Sequence, residues 1–266
     1  MYYKEDLGYE YPEKTDGHMI KVKKVREVVL DEDYPYLQKG FWFGCQRVIY
    51  FLGVNIIVFP LLRITHGLKI YGKENLRRHR DELKGGAITV SNHVFMWDFL
   101  CVLKAIRPHL TYFPAWKENL EGSNGPLIRM SGGIPIPTDS IKSMKKFKAA
   151  MDEVLEKGKW MHFYPEGSLW FYYPEIRPLK KAVFQYAVKY GKPIIPITMS
   201  FRPRRGIMKL LGRKPLCDLH VGEPLYADAT LPKREAERDL HARAYHIMQV
   251  MNGIEPGSPQ YRKFEE

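Results

Sequence analysis

The chain has 266 residues, 45% of them hydrophobic, and a formal net charge of +12 at pH 7. That apolar content is sufficient for a buried core and excludes a globally disordered chain. The basic excess favours polyanionic partners such as nucleic acid, anionic lipid headgroups, or phosphorylated and acidic-carrier substrates, and charge alone does not choose among them.

The cysteine pattern and the first residues indicate the compartment. Cys45, Cys101 and Cys217 are odd in number and no pair has C-x-x-C spacing. A disulfide framework or a zinc ribbon is therefore not expected, and a reducing cytosol is the simplest interpretation. Residues 1–16 are polar and rich in tyrosine and acids, without the basic-then-apolar layout of a signal peptide.

A long apolar run precedes the main part of the chain. We expect residues 1–39 to form an N-terminal tail and residues 40–67 a membrane-associated helical segment. The 15-residue run 48–62 is flanked by Arg47 and Arg63, and a membrane-spanning helix needs about 20 apolar residues. The run therefore predicts an interfacial helix that lies in or dips into the headgroup region. A buried core helix is the alternative.

Strands and helices alternate through residues 68–255. The apolar patterns predict strands at 87–90, 111–115, 133–136, 160–164, 193–199 and 216–221, and helices at 99–106, 139–156, 179–190 and 233–251. Asp139 or Ser140 is expected to cap the second of these helices. The order predicts one α/β domain, a mostly parallel sheet flanked by helices.

A histidine and an aspartate follow the first predicted strand. His93 and Asp98 are five residues apart, so on one regular helix their side chains would not face each other. They can pair only if His93 lies in the strand-to-helix turn and Asp98 in the first helical turn. Such a pair would fix the imidazole tautomer and leave the other ring nitrogen free to take a proton. The alternative is an ordinary helix start capped by Ser91 or Asn92.

A second polar cluster follows the predicted strand 160–164. Here Glu166 is a candidate acceptor of hydrogen bonds from a hydroxyl group. Gly167 allows close backbone approach, and backbone N–H groups around Ser168 could bind a phosphate or an oxyanion. Taken alone, the segment equally fits a plain Pro-Glu-Gly turn.

Together these segments resemble the glycerophospholipid acyltransferases of the 1-acyl-sn-glycerol-3-phosphate acyltransferase type. His93 and Asp98 match the H-x4-D motif of that family, and residues 164–168 are similar to its F-P-E-G-T motif. Residues 132–136 and 195–197 resemble two further, less specific blocks, in the same order. The resemblance covers about residues 68–200.

The resemblance implies an activity. His93 would act as the base that deprotonates an acceptor hydroxyl, and Asp98 would orient it. The acyl donor would be acyl-CoA or acyl carrier protein and the acceptor lysophosphatidic acid, with no metal and no cofactor beyond the donor. It further implies a membrane lipid partner and membrane association on the cytoplasmic face. No nucleic acid partner is expected, since the sequence shows no recognition motif for one and the apolar run 48–62 favours lipid.

Two departures from the family concern the acceptor phosphate. Thr138 stands where the second block usually ends in arginine, and Leu169 and Trp170 follow Ser168 where the third block usually has another. Arg129 and Lys180 are the nearest candidates to replace these cations. Arg177, beside a proline, is expected to point to solvent.

Alternatives therefore remain for the acceptor and for catalysis itself. The chain fits an acyltransferase acting on another lysophospholipid or on glycerol-3-phosphate, and it also fits a non-catalytic lipid-binding relative. The acid-free basic stretch 202–214, which is interleaved with apolar residues, suits an anionic bilayer surface or is a solvated loop.

Overall fold

The computed structural model describes residues 7–15, 17–138 and 140–264. A seven-stranded sheet organises this part of the chain, in the order β1-β7-β6-β2-β5-β3-β4. Its strands are β1 Lys69–Tyr71, β2 Ile88–Ser91, β3 Thr111–Trp116, β4 Gly133–Ile136, β5 Trp160–Phe163, β6 Ile194–Arg202 and β7 Leu216–Val221.

The five strands β6, β2, β5, β3 and β4 run parallel to one another. Only β7, which follows β6 in a hairpin, and its neighbour β1 run in the opposite direction. The mostly parallel α/β sheet predicted from the alternating pattern is confirmed. Parallel strands require crossover connections, and these are supplied by helices on both faces.

Nine α-helices surround the sheet in the described residues. They are α1 Phe41–Gly53, α2 Phe59–Thr65, α3 Lys73–Arg78, α4 Asp98–Ile106, α5 Lys117–Glu121, α6 Gly125–Ser131, α7 Ile141–Glu156, α8 Ala182–Tyr190 and α9 Lys233–Met251. The segments α1, α2 and α4 contribute to the apolar core on one face of the sheet. The core on the other face contains residues of α7, α8 and α9.

Strand β2 shows why the sheet forms where the sequence predicted it. All four of its residues are buried, as expected for a central strand covered on both faces. Ile88 and Val90 pack into the core beside α7 and α8, while Ala87, just before the strand, belongs to the core on the other face. Period-two alternation thus distributes one short apolar run between two cores.

Helix boundaries differ slightly from those predicted, for local reasons. Helix α7 begins at Ile141, where the Ser140 hydroxyl accepts a hydrogen bond from the Lys142 N–H. Asp139, the other expected cap, lies outside the described residues. Helix α8 begins at Ala182 and not at residue 179, and the N–H of Lys180 is bound to the carbonyl of Pro165. That contact holds the preceding residues against the loop after β5.

The apolar run 48–62 is part of a helix that lies within the predicted segment 40–67. Helices α1 and α2 are joined by a π-helical stretch, Val54–Val58, into the apolar helix Phe41–Thr65. Its 25 residues are long and apolar enough to cross a membrane by length and composition. Pro60 lacks the N–H of a regular helix, which fits a local change of hydrogen-bonding pattern here.

The apolar helix has two contrasting sides. One side packs on the domain through the buried residues Arg47, Phe51, Val54, Phe59 and Leu62. The other side exposes a stripe of large apolar side chains, including Trp42, Ile49, Leu52, Ile56, Ile57, Leu61 and Ile64. Ile56 alone is 71% exposed. The helix is thus neither a buried core helix nor free of the domain.

Candidate active site

The first site loop lies at the carboxyl end of β2. Asn92, directly after that strand, is buried, and its side-chain amide bonds both backbone groups of Met199 on the neighbouring β6. The amide accepts from the Met199 N–H at 2.8 Å and donates to the Met199 carbonyl at 2.9 Å. These two hydrogen bonds to the neighbouring strand fix the point at which His93 leaves the sheet.

The predicted pairing of His93 with Asp98 is confirmed. His93 Nδ1 lies 2.7 Å from Asp98 Oδ2, with His93 in the turn and Asp98 as the first residue of α4. The same carboxylate oxygen accepts the backbone N–H groups of Val94 at 3.2 Å and Phe95 at 3.3 Å. Asp98 therefore also holds the turn in the shape that brings the two side chains together.

The free edge of His93 defines what the pair can do. Since Nδ1 faces a carboxylate, the hydrogen-bonding pattern assigns the proton there and leaves Nε2 available as an acceptor. Within the described residues Nε2 has no hydrogen-bond partner, and the His93 side chain is 25% exposed whereas that of Asp98 is 3% exposed. This arrangement can take a proton from an approaching hydroxyl.

Tyr164 completes the setting of this pair. Its ring stacks on the His93 ring with centroids 3.8 Å apart, and its hydroxyl donates to Asp98 Oδ1 at 2.8 Å. Burial, followed by the nearby charge of Asp98, raises the pKa of Tyr164 well above its usual value. The phenol thus stays protonated and keeps donating to the carboxylate. The sequence interpretation missed this role.

Glu166 is not placed to accept a hydrogen bond from a substrate. Its carboxylate is buried and accepts the His93 N–H at 3.1 Å and the Arg177 N–H at 2.9 Å. The Arg177 guanidinium adds an ion pair at 2.8 Å. The predicted substrate contact of Glu166 is corrected accordingly: this residue joins the β5 loop to the backbone of His93.

Ser168 is likewise committed within the protein. It is buried, and its hydroxyl accepts from Arg177 at 2.9 Å and donates to the carbonyl of Thr15 at 3.3 Å. Its side chain therefore does not face an incoming ligand, in contrast to the predicted substrate contact.

Gly167 and Lys180 lie together at the surface of the same loop. Gly167 has a φ of +90°, and a β-carbon there would lie 2.7 Å from the Lys180 Nζ. Only glycine therefore fits both the backbone conformation and the close approach of the lysine. The Lys180 backbone N–H binds the Pro165 carbonyl at 2.8 Å, and its side chain is exposed. Lys180 is thus placed beside the Pro-Glu-Gly loop as predicted.

The structure does not bring Arg129 to this site. Its guanidinium donates to the carbonyls of Tyr36 at 2.9 Å, Gly133 at 2.7 Å and Pro35 at 2.5 Å. Gly133 begins β4, the edge strand, which is three positions from β2 in the sheet. At a strand spacing of about 4.8 Å, roughly 14 Å separate the two strands. Arg129 secures the N-terminal segment, which corrects its predicted role in phosphate binding.

The position of Arg177 also differs from the one predicted. It is 1% exposed and does not point to solvent. Besides Glu166 and Ser168, its guanidinium binds the Thr15 carbonyl at 2.9 Å and lies 4.4 Å from the centroid of the Trp170 ring. The nearby Pro-Glu-Gly glutamate is the signal in the sequence that could have indicated a buried cation.

The expected tail contributes to the site's surroundings. Tyr11 stacks on Trp170 with centroids 5.5 Å apart, and the Trp170 indole donates to the Gly17 carbonyl at 2.8 Å. The backbone N–H of Trp170 in turn donates to the His93 carbonyl at 3.0 Å. Residues 7–15 and 17–39 contain no helix or strand, but they cover the loop that supports His93.

No group of three or more histidine, cysteine, aspartate or glutamate side chains suited to a metal ion occurs within the described residues. Two groups described above could take part in chemistry: the oriented imidazole of His93, which can take up a proton, and the exposed ammonium group of Lys180, which can offset negative charge.

Comparison with known proteins agrees with this site. A family model described as Acyltransferase matches residues 67–200, about half of the chain, and the chain belongs to that acyltransferase family. The membership of an acyltransferase family that the motifs indicated, over nearly the same residues, is thereby confirmed. His93, Asp98 and the Pro-Glu-Gly loop all fall within the matched region.

Two further searches complete the comparison. No match was found among curated proteins. Among solved structures, the chain is similar to the 1-acyl-sn-glycerophosphate (LPA) acyltransferase PlsC from Thermotoga maritima, with a TM-score of 0.49 and 17% identity. The similarity covers 82% of this chain and 90% of that one.

Proposed function

We propose that the protein transfers a fatty acyl group from acyl-CoA or acyl carrier protein to the free hydroxyl of lysophosphatidic acid, in phospholipid biosynthesis. The observation that carries this proposal is the His93–Asp98 pair, in which Nδ1 and Oδ2 are 2.7 Å apart and Nε2 has no hydrogen-bond partner among the described residues. The pair lies within a domain of the acyltransferase family. The donor is a co-substrate, and the proposal includes no resident cofactor.

The chemistry follows from the free nitrogen. Nε2 of His93 takes the proton from the acceptor hydroxyl while the oxygen forms a C–O bond with the thioester carbonyl. The resulting tetrahedral intermediate collapses, the C–S bond breaks, and the leaving thiolate receives the proton held by His93. Asp98 stabilises the imidazolium between these two steps. Such a base contributes about 10²–10⁴-fold to the rate.

The acceptor phosphate is assigned to Lys180 in this proposal. The residue is exposed, its Nζ lies against Gly167, and it has no ion-pair partner among the described residues. A charge-assisted hydrogen bond from an ammonium group is a strong contact for a phosphate. The loop that carries Gly167 reaches His93 through Glu166, so a phosphate at Lys180 would lie near the base.

A second candidate acceptor keeps the same chemistry. Both positions at which the family usually has arginine are occupied by other residues, Thr138 in one block and Leu169 followed by Trp170 in the other, and Arg129 is bound elsewhere. This favours testing another lysophospholipid or glycerol-3-phosphate beside lysophosphatidic acid. A non-catalytic lipid-binding role is the outcome if no acceptor is acylated.

We further propose that the apolar helix attaches the protein to the cytoplasmic face of a membrane. Its exposed stripe of isoleucine, leucine and tryptophan is opposite the side that packs on the domain. A helix with one apolar side exposed suits the interface plane, where that side can enter the boundary between headgroups and acyl chains. A lipid acceptor would be met at the same surface.

The decisive experiment is acylation by the purified full-length chain. The protein is incubated with acyl-CoA or acyl carrier protein and with a mixture of glycerol-3-phosphate, lysophosphatidic acid and other lysophospholipids, and lipid products are identified by mass spectrometry. We expect phosphatidic acid as the main product. His93→Ala should lower the rate by about 10²–10⁴-fold.

His246→Ala is the matched control because His246 is exposed on α9. It should retain the parental rate. Equal activity of a folded His93→Ala variant would refute the mechanism, and a dominant product from another lysolipid would refute the acceptor. Absence of any product from all donors and acceptors would favour the non-catalytic alternative.

A further inference from the structure

The loop between β6 and β7, residues 203–215, carries both basic and exposed apolar side chains. We call it the basic loop. It contains five arginine and lysine residues and no acid. Its centre is a short 3₁₀ turn, Gly206–Lys209. The acyl-transfer site described above leaves this concentration of charge unexplained.

Two of the five basic residues have structural partners. Arg204 donates to the carbonyls of Thr65 at 2.6 Å and Met208 at 2.9 Å. Lys214 donates to the Tyr9 hydroxyl at 2.7 Å and lies 4.4 Å from the centroid of that ring. These contacts hold the base of the loop against the end of the apolar helix and against the N-terminal segment.

The other three basic residues are available for a ligand. Arg205, Lys209 and Arg213 are all exposed and form no ion pair with any residue in the described part of the chain. Large apolar side chains stand between them: Ile207 is 75% exposed, Leu210 84%, and Leu211 is also exposed. Exposed apolar groups that alternate along the loop with exposed cations fit a surface that is anionic at the headgroups and apolar beneath them, which is the character of an acidic lipid bilayer. A nucleic acid would use the cations alone.

The position of the basic loop relates it to the site. Asn92 bonds Met199 on β6, and β6 then continues three residues to Arg202. At about 3.3 Å per residue, the strand carries the loop roughly 10 Å beyond that level. Since β2 and β6 are parallel neighbours, the loop projects from the same edge of the sheet that bears His93.

We infer that the basic loop is a second membrane contact, which binds anionic lipid headgroups and turns the His93 edge of the sheet toward the bilayer. The inference rests on the membrane attachment proposed for the apolar helix, and it adds a dependence on lipid charge. The apolar helix provides apolar contact along one side of the domain. The basic loop provides positive charge at the carboxyl ends of the parallel strands, where His93 lies. Two separate contacts define an orientation, which one helix alone does not.

Vesicle co-sedimentation of the full chain tests this inference. Vesicles of phosphatidylcholine alone are compared with vesicles in which about one third is phosphatidylglycerol. Each cation near such a surface is worth roughly a factor of five in binding. The variant Arg205→Ala/Lys209→Ala/Arg213→Ala is therefore expected to lose roughly 100-fold in partitioning to the anionic vesicles, and little to the neutral ones.

The control variant is Lys145→Ala/Lys146→Ala/Lys148→Ala. These three lysines are exposed on α7, whose buried residues pack on the opposite face of the sheet from the apolar helix. This control variant removes the same number of positive charges as the loop variant and should keep most of its binding to the anionic vesicles. A loop variant that binds as the parent does, or that loses no more than the control, overturns the inference.

Two further readouts separate this inference from the proposed function. If the loop variant lost as much binding to neutral vesicles as to anionic vesicles, lipid charge would have no role and the inference would be overturned. Acylation of a short-chain, water-soluble acceptor without vesicles should be unchanged in the loop variant, since the loop residues are not part of the catalytic pair. Loss of neutral-vesicle binding in apolar-helix variants tests the helix attachment independently. Circular dichroism confirms that each variant is folded.

Discussion

Tyr164 contacts both members of the candidate catalytic pair. Its hydroxyl donates to Asp98 Oδ1 at 2.8 Å, and its ring stacks on His93 with centroids 3.8 Å apart. Asp98 therefore shares its negative charge between the imidazole, two backbone N–H groups and a phenol. Replacing Tyr164 with phenylalanine removes the hydroxyl contact with Asp98 and keeps the aromatic ring that stacks on His93.

Tyr164→Phe should lower kcat/KM by up to about tenfold. Without the phenol, the Asp98 carboxylate loses the hydrogen bond from Tyr164 at 2.8 Å, one of the contacts that hold it against the His93 imidazole. The measurement is steady-state kinetics of acyl transfer by the parent and the variant.

Tyr226→Phe is the control for that experiment. Tyr226 also donates to a carboxylate, that of Glu82, but this pair is exposed at the surface. Its kcat/KM should equal that of the parent. An unchanged kcat/KM in Tyr164→Phe would mean that the phenol has no influence on proton transfer.

The buried Arg177–Glu166 pair should dominate the stability of the site loop. Arg177→Met leaves the Glu166 carboxylate buried without its cation, which typically costs about 3–5 kcal/mol. Glu166→Gln should be costly for the same reason. The double variant removes both charges and is expected to recover a large part of the loss. Urea denaturation of the four proteins gives the coupling energy; simple addition of the two losses would contradict a coupled pair.

Lys180→Ala should raise the KM for a phosphorylated acceptor by about tenfold or more, as loss of a charged hydrogen bond of roughly 1.5–3 kcal/mol requires. Hydrolysis of the donor thioester without acceptor should change little. Lys181→Ala removes the neighbouring exposed lysine and is the matched control. An unchanged kcat/KM in Lys180→Ala would place the phosphate elsewhere or show that the acceptor has none.

Arg129→Ala should separate structure from binding. Because three backbone carbonyls lose their donor, the free energy of unfolding is expected to fall by about 1.5–3 kcal/mol. The acceptor KM should stay at the parental value. A raised KM with unchanged stability would restore Arg129 as a phosphate ligand.

His162 should make the protein less stable as pH falls. Burial lowers its pKa to about 3, against about 6.5 in an unfolded chain. The unfolded state therefore takes up a proton first, and the stability present above pH 6.5 is lost as pH falls toward 3. The loss is at most about 1.4 kcal/mol per pH unit, or roughly 2 kcal/mol by pH 5.

The contribution of His162 is isolated by comparing slopes. His162→Gln should show a shallower decline in unfolding free energy between about pH 7 and 5, measured by urea denaturation. Burial also lowers the pKa of His241 to about 4, so this residue makes the parent and the variant alike less stable as pH falls. Parallel slopes for the parent and the variant would contradict the assignment.

The apolar helix is best tested by surface substitutions. Deletion of residues 1–65 would also remove Phe51, Val54, Phe59 and Leu62 from the core, so loss of folding would obscure loss of binding. Ile49→Ser and Ile56→Ser change only exposed positions. Each should weaken binding to neutral vesicles by about tenfold or more. Val29→Ser, also exposed but outside the helix, should bind normally.

Local sequence signals determined the fold class and the catalytic candidates. Strands such as β4 and β7 coincide with the predicted ranges because short apolar runs between turn residues are local signals. The His93–Asp98 pairing was predictable for a similar reason: at a separation of five residues, only a strand-to-helix turn lets the two side chains meet.

Only the tertiary structure decided the partners of the other site residues. Glu166 and Arg177 resemble a turn acid and a surface cation in the sequence, and their pairing appears only when the β5 loop folds back on His93. Arg129, close in sequence to a family block, is bound by Tyr36 and Gly133 at the far edge of the sheet. Hydrophobic periodicity is encoded within a few residues, whereas a buried charge finds its partner through contacts between distant segments.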